Sequence, residues 1–144
     1  MLRSLPIACL LFLGILGCKS VQRDDLVGTW VIMDASREVL PAELRKAQGK
    51  IVLDAKGTFV ASEMPGLFYF PGVHSAQLET GSGTWRLEHS EGEQQVWLDF
   101  QIIADWKNGL PYGTQLEVSR SNLFYFLGDA DEGRRIEFEN KKMN

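Results

Sequence analysis

The sequence predicts an all-β protein, a single antiparallel up-and-down barrel of about eight strands, with one short helix after the first strand. Three observations predict this class. Short apolar runs recur along the chain, several of them alternate apolar and polar residues, and turns rich in Gly, Asn, Asp and Ser separate them. Closing the sheet into a barrel removes exposed strand edges, which favours a barrel. The same strand pattern also fits an open sandwich.

Period-two alternation defines the strands. One face of the fifth strand carries Val96, Leu98, Phe100 and Ile102, and the opposite face carries Asp99 and Gln101. Half-buried antiparallel strands have this pattern. The predicted strands are Leu26–Asp34, Lys50–Asp54, Thr58–Glu63, Gly83–Glu88, Gln95–Ile103, Thr114–Arg120, Asn122–Gly128 and Arg135–Glu139.

The segment Pro41–Ala47 departs from the strand pattern. Pro41 suits the first position of a helix, and good helix formers follow it. The sequence therefore predicts the one short helix here.

The amino terminus has the layout of a secretory signal. Arg3 precedes the apolar run Ile7–Leu16, and the small residue Gly17 closes it. As a helix this run would reach roughly 15 Å at about 1.5 Å per residue, whereas a bilayer-spanning helix needs about 20 apolar residues. The segment is therefore too short for a stable transmembrane anchor.

The residues Ile15-Leu-Gly-Cys18 resemble the lipobox of bacterial lipoproteins. The resemblance implies diacylglycerol on the Cys18 sulfur, cleavage after Gly17 and acylation of the new amine. Several acyl chains together anchor a protein stably to a membrane. Lys19 follows the cysteine where an Asp would signal retention, which in this family favours the outer membrane. We therefore expect a signal peptide (1–17), a lipidated tether (18–25) and a barrel domain (26–140) in the cell envelope.

Charge and cysteine content exclude several classes of function. After loss of Arg3 the chain carries 14 Lys and Arg against 19 Asp and Glu, a net charge of about −5. Nucleic acid is therefore not an expected partner, because its binding needs concentrated positive charge. Cys9 leaves with the signal and Cys18 takes the lipid, so the folded domain has no cysteine for a disulfide, a nucleophile or a metal ligand.

Candidate catalytic and metal-binding residues are sparse. His74 and His89 are the only histidines, and neither lies in a cluster of metal-ligating residues. The segment Asp129–Gly133 resembles the start of a calcium loop, but Gly133 and Asn140 stand where further ligands belong, so a hairpin turn is the better interpretation. We predict no metal, no cofactor and no enzymatic activity.

Four short motifs resemble lipocalins and the lipocalin-like domains of bacterial lipoproteins. The segment Leu26-Val-Gly-Thr-Trp30 resembles their opening Gly-x-Trp signature, and Gly83-Thr-Trp85 repeats it. Asp54–Phe59 resembles a hairpin common in such domains, and the Asp129–Gly133 turn fits their final hairpin. The resemblance implies a barrel with Trp30 packed across its closed end.

Two near copies of one aromatic motif stand out, Leu67–Phe70 and Leu123–Phe126. Alternation in the second copy puts Leu123 and Tyr125 on one face and Phe124 and Phe126 on the other, so both faces are apolar. One face enters the core, and the other needs cover from the Leu67–Phe70 loop, a partner protein or the membrane.

Two functions of different classes follow. The first is a lipid-anchored, non-enzymatic protein that binds a small apolar ligand inside the barrel. The residues predicted to contact this ligand are Trp30, Phe59, Trp85, Phe100 and Tyr125. The alternative is a protein-interaction lipoprotein, such as an inhibitor, an immunity-type protector or an accessory of an envelope complex. Its predicted contact residues are Phe68, Tyr69, Phe70, Phe124 and Phe126.

Overall fold

The computed structural model describes residues 20–65, 78–103, 112–119 and 122–141. The strands in these residues form a closed antiparallel barrel, in which each strand pairs with the next and the last returns to the first. The barrel closes where Ile32 faces Phe138. The strands are β1 Gly28–Ile32, β2 Lys50–Leu53, β3 Thr58–Pro65, β4 Leu78–Ser90, β5 Glu93–Ile103, β6 Tyr112–Ser119, β7 Asn122–Phe126 and β8 Arg135–Asn140.

The barrel interior is packed with apolar side chains. The rings of Phe59 and Phe100 meet edge to face, with 4.9 Å between centroids. Eight-stranded barrels are just wide enough for side chains to fill them. The core residues with the largest fully buried side chains include Phe59, Phe138, Ile32, Ile51, Leu53 and Leu98.

The prediction that Ile102 faces the core is wrong. The register between β4 and β5 shifts between Ser82 and Gly83, so Ile102 turns outward and is 66% exposed, whereas Ile103 is buried. A bulge of this kind reverses the alternation beyond it. Gly83 permits the close approach, because a Cβ atom there would lie 1.9 Å from the Asp99 carbonyl oxygen.

The predicted helix at Pro41–Ala47 is shorter and tighter than expected. The structure has a 3₁₀ helix at Asp34–Val39 and a single 3₁₀ turn at Ala42–Leu44. Pro41 is extended, with ψ 145°, and precedes the turn as its cap. Leu44 is buried, so the turn covers part of the core. A further short helix, α1 at Arg23–Leu26, precedes β1.

The two ends of the barrel differ in their connections. One end, the closed end, has the tight turns 54–57 and 91–92 and is crossed by α1. Within the 54–57 turn, the Gly57 N–H donates to the Asp54 carbonyl oxygen at 3.0 Å, and Gly57 has a φ of 89°. The other end, the open end, carries the longer connections 33–49 and 127–134. No helix in the described ranges has the length and apolar character needed to cross a bilayer.

Candidate ligand-binding cleft

The five residues predicted to contact a ligand all lie inside the barrel and are buried. Trp30, Phe59, Trp85 and Phe100 pack into the common core. Of the five, only Tyr125 also lines the cleft described below. A ligand that fills the centre of the barrel would have to displace these core side chains.

The two predicted contact residues on β7 lie on its outer face. Phe124 is 9% exposed and Phe126 is partly buried, and their rings meet edge to face at 5.4 Å. Arg135 covers Phe124, with its guanidinium carbon 4.8 Å from the ring centroid. The apolar outer face is therefore partly covered by its own neighbours. The other predicted contact residues, Phe68, Tyr69 and Phe70, lie outside the described residues, as does Cys18, the predicted lipidation site.

The barrel wall is split between β6 and β7. Their ladder consists of three pairs, from Ser119↔Asn122 to Glu117↔Phe124. On either side of the split the pairing is longer, with six pairs between β5 and β6 and five between β7 and β8. Continuation of the register would oppose Gln115 to Phe126, but these residues do not pair. The two strands therefore diverge toward the open end.

A cleft of about 480 Å³ occupies this split. Its volume falls within the usual range of small-molecule sites, roughly 300–1,000 Å³. Side chains from the inner and outer faces of the wall both contribute, because the gap passes between two strands. The residues around it are Trp97, Tyr112, Gly113, Thr114, Gln115, Glu117, Phe124, Tyr125, Phe126, Gly128 and Ala130.

Three hydroxyl groups cluster on the inner side of the cleft. Thr114 is buried and hydrogen-bonds the phenol groups of both Tyr112 and Tyr125. Burial raises the pKa of each phenol, and for Tyr112 the neighbouring Tyr125 raises the pKa further. Both tyrosines therefore stay neutral at physiological pH. The cluster offers hydroxyl donors and acceptors within a mostly aromatic wall.

Trp97 contributes an unsatisfied donor. Its side chain lies on the outer face of β5, opposite Gln115. The indole Nε1 is buried and has no hydrogen-bond partner in the described part of the chain. An indole N–H is a donor only, and a buried donor without a partner costs about 1–3 kcal/mol. An acceptor from a bound molecule would remove this cost.

The charged groups at the cleft balance one another. Arg86 lies over Trp97, with its guanidinium carbon 5.3 Å from the ring centroid, and pairs with Glu88 at 2.6 Å and with Asp99. Arg135 pairs with Glu137 at 2.6 Å. Burial, and then repulsion from Glu93, raises the pKa of the Glu117 carboxyl at the rim. Among the described residues, the cleft therefore presents no uncompensated cation to an anionic ligand.

Comparison with known proteins adds no assignment. No protein-family model, no curated protein and no solved structure matches the chain.

In the described ranges, no three residues of His, Cys, Asp and Glu come together as a metal site. In the Asp129–Gly133 turn, Asp129 accepts the Asp131 N–H at 3.1 Å, and Gly133 takes a left-handed φ of 64°. That segment is the predicted hairpin turn.

Sequence reasoning predicted Phe124, Tyr125 and Phe126 as contact residues and missed the rest of the cleft, including the polar groups of Trp97, Tyr112 and Thr114. Trp97 carried a signal, because it is an aromatic residue at a position where alternation on β5 predicts a polar one. Tyr112 and Thr114 carried none, since the inward face of a strand normally holds such residues. Tyr112 and Thr114 line a cleft only because β6 separates from β7 beside them, and no local sequence pattern marks that separation.

Proposed function

We propose that this protein is a lipid-anchored, non-enzymatic envelope protein that binds a small, uncharged, mostly apolar ligand in the cleft between β6 and β7. The observation that carries the proposal is the cleft itself, a volume of about 480 Å³ within a barrel whose centre is packed. The sequence suggested a ligand site in the centre of the barrel, and we propose the cleft in its place.

The residues that line the cleft indicate which kind of ligand it would bind. Phe124 and Phe126 favour an apolar body. The unpaired Trp97 N–H and the hydroxyls of the Tyr112–Thr114–Tyr125 cluster favour at least one acceptor, such as an ester or amide carbonyl. Because Arg86 and Arg135 are already paired, a carboxylate or phosphate gains no free cation from the described part of the chain.

The charge at the rim also disfavours anions. Glu117 and Glu93 repel each other strongly enough to contribute to the raised pKa of Glu117. An anionic ligand would add a third negative charge to this region. An uncharged amphiphile avoids that repulsion and buries its apolar body against the aromatic rings.

Support for the lipid anchor comes from the leader and from its distance to the fold. The lipobox-like residues Ile15–Cys18 end three residues before Val21, whose backbone is hydrogen-bonded to the barrel. The acylated residue would then stand next to the folded domain. Mass spectrometry of the amino-terminal peptide tests the anchor, with Cys18→Ser as control. We expect acylated Cys18 as the first residue, whereas a free thiol or a retained Ile15-Leu-Gly would overturn the anchor.

The partner-protein function is the second candidate, and a separate observation favours it. Two apolar residues near the open end are well exposed: Ile102 at 66% and Leu78 at 46%. Leu78 directly follows residues 66–77, which include the predicted contact segment Phe68–Phe70. An envelope protein that binds this end would cover both side chains.

Native mass spectrometry of the domain expressed from residue 20 distinguishes the two candidates. The ligand-binding proposal predicts a bound small molecule after incubation with an envelope lipid extract, and loss of that mass in Phe124→Ala. Val60→Ala is the matched control, because Val60 is an exposed apolar residue on β3, away from the cleft. No retained mass in any form would overturn ligand binding. Pull-down of one defined envelope protein, lost in Ile102→Ser, would favour the partner function.

A further inference from the structure

The residues between the proposed anchor and the barrel are attached to the fold. The Val21 N–H donates to the Gln94 side-chain oxygen at 2.8 Å, and the Gln94 amide donates back to the Val21 carbonyl oxygen at 2.6 Å. This reciprocal pair fixes the segment beside the turn between β4 and β5. Val21 also packs against the core.

From Val21 the segment crosses the closed end. Arg23 donates to the Ala55 carbonyl oxygen at 2.9 Å and lies over Trp85, 4.8 Å from the ring centroid. Leu26 is 1% exposed, and its carbonyl oxygen accepts the Trp30 indole N–H at 2.8 Å. Five of the eight residues of the predicted tether, from Val21 to Asp25, therefore belong to the folded domain.

This attachment limits where the lipid can be. Cys18 precedes Val21 by three residues, and an extended chain spans at most about 3.6 Å per residue. The Cys18 backbone therefore stays within about 11 Å of Val21. The sulfur that carries the acyl chains is then confined to the surroundings of the closed end.

We infer that the closed end of the barrel lies against the bilayer surface and that the wide end of the cleft faces away from it. This inference rests on the lipid anchor in the proposed function. Along β5, seven residues separate Glu93 at the closed end from Phe100, the partner of Tyr112 at the cleft. At about 3.3 Å per residue and a strand tilt of about 40°, the wide end of the cleft lies roughly 18 Å farther out. Ligand therefore enters from the aqueous compartment rather than directly from the supporting bilayer.

Charge does not produce this orientation. Among the described residues, the exposed acidic residues at the closed end include Asp24, Asp25, Asp54, Glu91 and Glu93, against the basic Arg23, Lys56 and Lys141. An anionic lipid surface repels such an end. The acyl chains and the short tether hold it there, so the domain without Cys18 should not bind vesicles that contain anionic lipid.

Energy transfer from a single label to the membrane surface tests the orientation. In the lipidated protein the thioether blocks Cys18, so an introduced cysteine is the only thiol of the processed chain. Ser90→Cys places a dye at the closed end and Ala130→Cys places one at the open end, both at exposed positions. In vesicles with an acceptor on the lipid headgroups, we expect at least twofold higher transfer efficiency from Ser90→Cys. Equal transfer, or higher transfer from Ala130→Cys, would overturn the inference.

A longer tether provides the matched control. Insertion of a 20-residue Gly-Ser linker between Lys19 and Ser20 adds about 25 Å of mean reach and should largely abolish the difference between the two labels. A difference that survives unchanged would show that the short tether is not its cause. Measurement of the acyl mass on Cys18 beforehand separates the two proposals. Absent acylation refutes the anchor, whereas acylation with equal transfer refutes the orientation alone.

Discussion

The hydrogen bonding of the tryptophan indoles differs between the closed end, which holds Trp30 and Trp85, and the split wall, which holds Trp97. The Trp30 and Trp85 indoles donate to the carbonyl oxygens of Leu26 and Asp54, each at 2.8 Å. The Trp97 Nε1 atom is also buried, although the residue as a whole is only partly buried, and it has no hydrogen-bond partner in the described residues. The closed end satisfies its polar groups with its own chain, whereas the wall beside the cleft leaves a donor unused.

The strand pairing shows the same contrast. At the closed end, α1 and the 54–57 turn are joined to the barrel by hydrogen bonds and by burial of Leu26. Between β6 and β7 the ladder stops after Phe124, and a cleft takes the place of the missing pairs. Unused hydrogen-bonding capacity lowers stability unless a bound molecule engages it. The closed end therefore contributes to stability, and the split wall is where we propose that the ligand binds.

The largest expected effect is on stability at the closed end. Trp30→Ala should lower the free energy of unfolding by about 3–5 kcal/mol, because it leaves a large cavity in the core and an unpaired Leu26 carbonyl. Urea titration followed by circular dichroism measures this loss. Trp97→Ala is the comparison and should cost much less, since Trp97 is only partly buried. Equal losses would remove the contrast between the two regions.

The second effect is on binding at the wall. Trp97→Phe keeps an aromatic ring but removes the donor, so the affinity for monododecanoylglycerol, an uncharged ester, should fall about tenfold, equivalent to about 1.4 kcal/mol. Stability should not fall by more than about 1 kcal/mol, because the smaller ring loses some packing but the substitution also removes a buried donor that has no partner in the described residues. Isothermal titration calorimetry measures the affinity.

Trp85→Phe is the control for this binding experiment. It removes the hydrogen bond to the Asp54 carbonyl at the closed end and should lower stability by about 1 kcal/mol without a change in affinity. If Trp85→Phe weakens binding as much as Trp97→Phe does, the wall is not the binding region.

A third, smaller effect concerns the amino-terminal segment. Gln94→Ala removes both hydrogen bonds to Val21 and should lower the free energy of unfolding by about 1 kcal/mol. It should also expose residues 21–26 to limited proteolysis. Gln115→Ala, an exposed position on β6, should leave both measurements unchanged. Unaltered protease resistance in Gln94→Ala would mean that other contacts hold the segment.

The smallest expected effect is on the pH dependence of stability, through the buried phenol groups of Tyr112 and Tyr125. Burial raises the pKa of Tyr112 and Tyr125 above that of an unfolded tyrosine, about 10. The stability that this contributes is complete below pH 10 and is lost as the pH rises further, since only the unfolded chain ionises readily. Chemical denaturation between pH 8 and pH 11 should show the decline. The double variant with Tyr112→Phe and Tyr125→Phe should decline less, and an identical slope would contradict the assignment.

The barrel could be predicted from the sequence because alternation and turn residues are local properties. All eight strands were predicted, and Trp30 and Phe59 were placed in the interior. The split between β6 and β7 was not predicted, because Leu116 and Val118 on β6 alternate with polar residues as they would in a fully paired strand. The attachment of Val21 to Gln94 joins residues 73 positions apart, and no local pattern marks it. The bulge that exposes Ile102 likewise depends on β4, the neighbouring strand.

Hydrogen exchange of the amide groups, with and without monododecanoylglycerol, tests the central claim that the split wall is the binding site. In the free protein we expect fast exchange at Gly113, Gln115 and Phe126, whose amide groups face the unpaired edges of β6 and β7, and slow exchange at Ile51–Leu53 and Phe59 near the closed end. Bound ligand should slow exchange in the first group and leave the second unchanged. Protection confined to the closed end, or no protection at saturating ligand, would contradict the account.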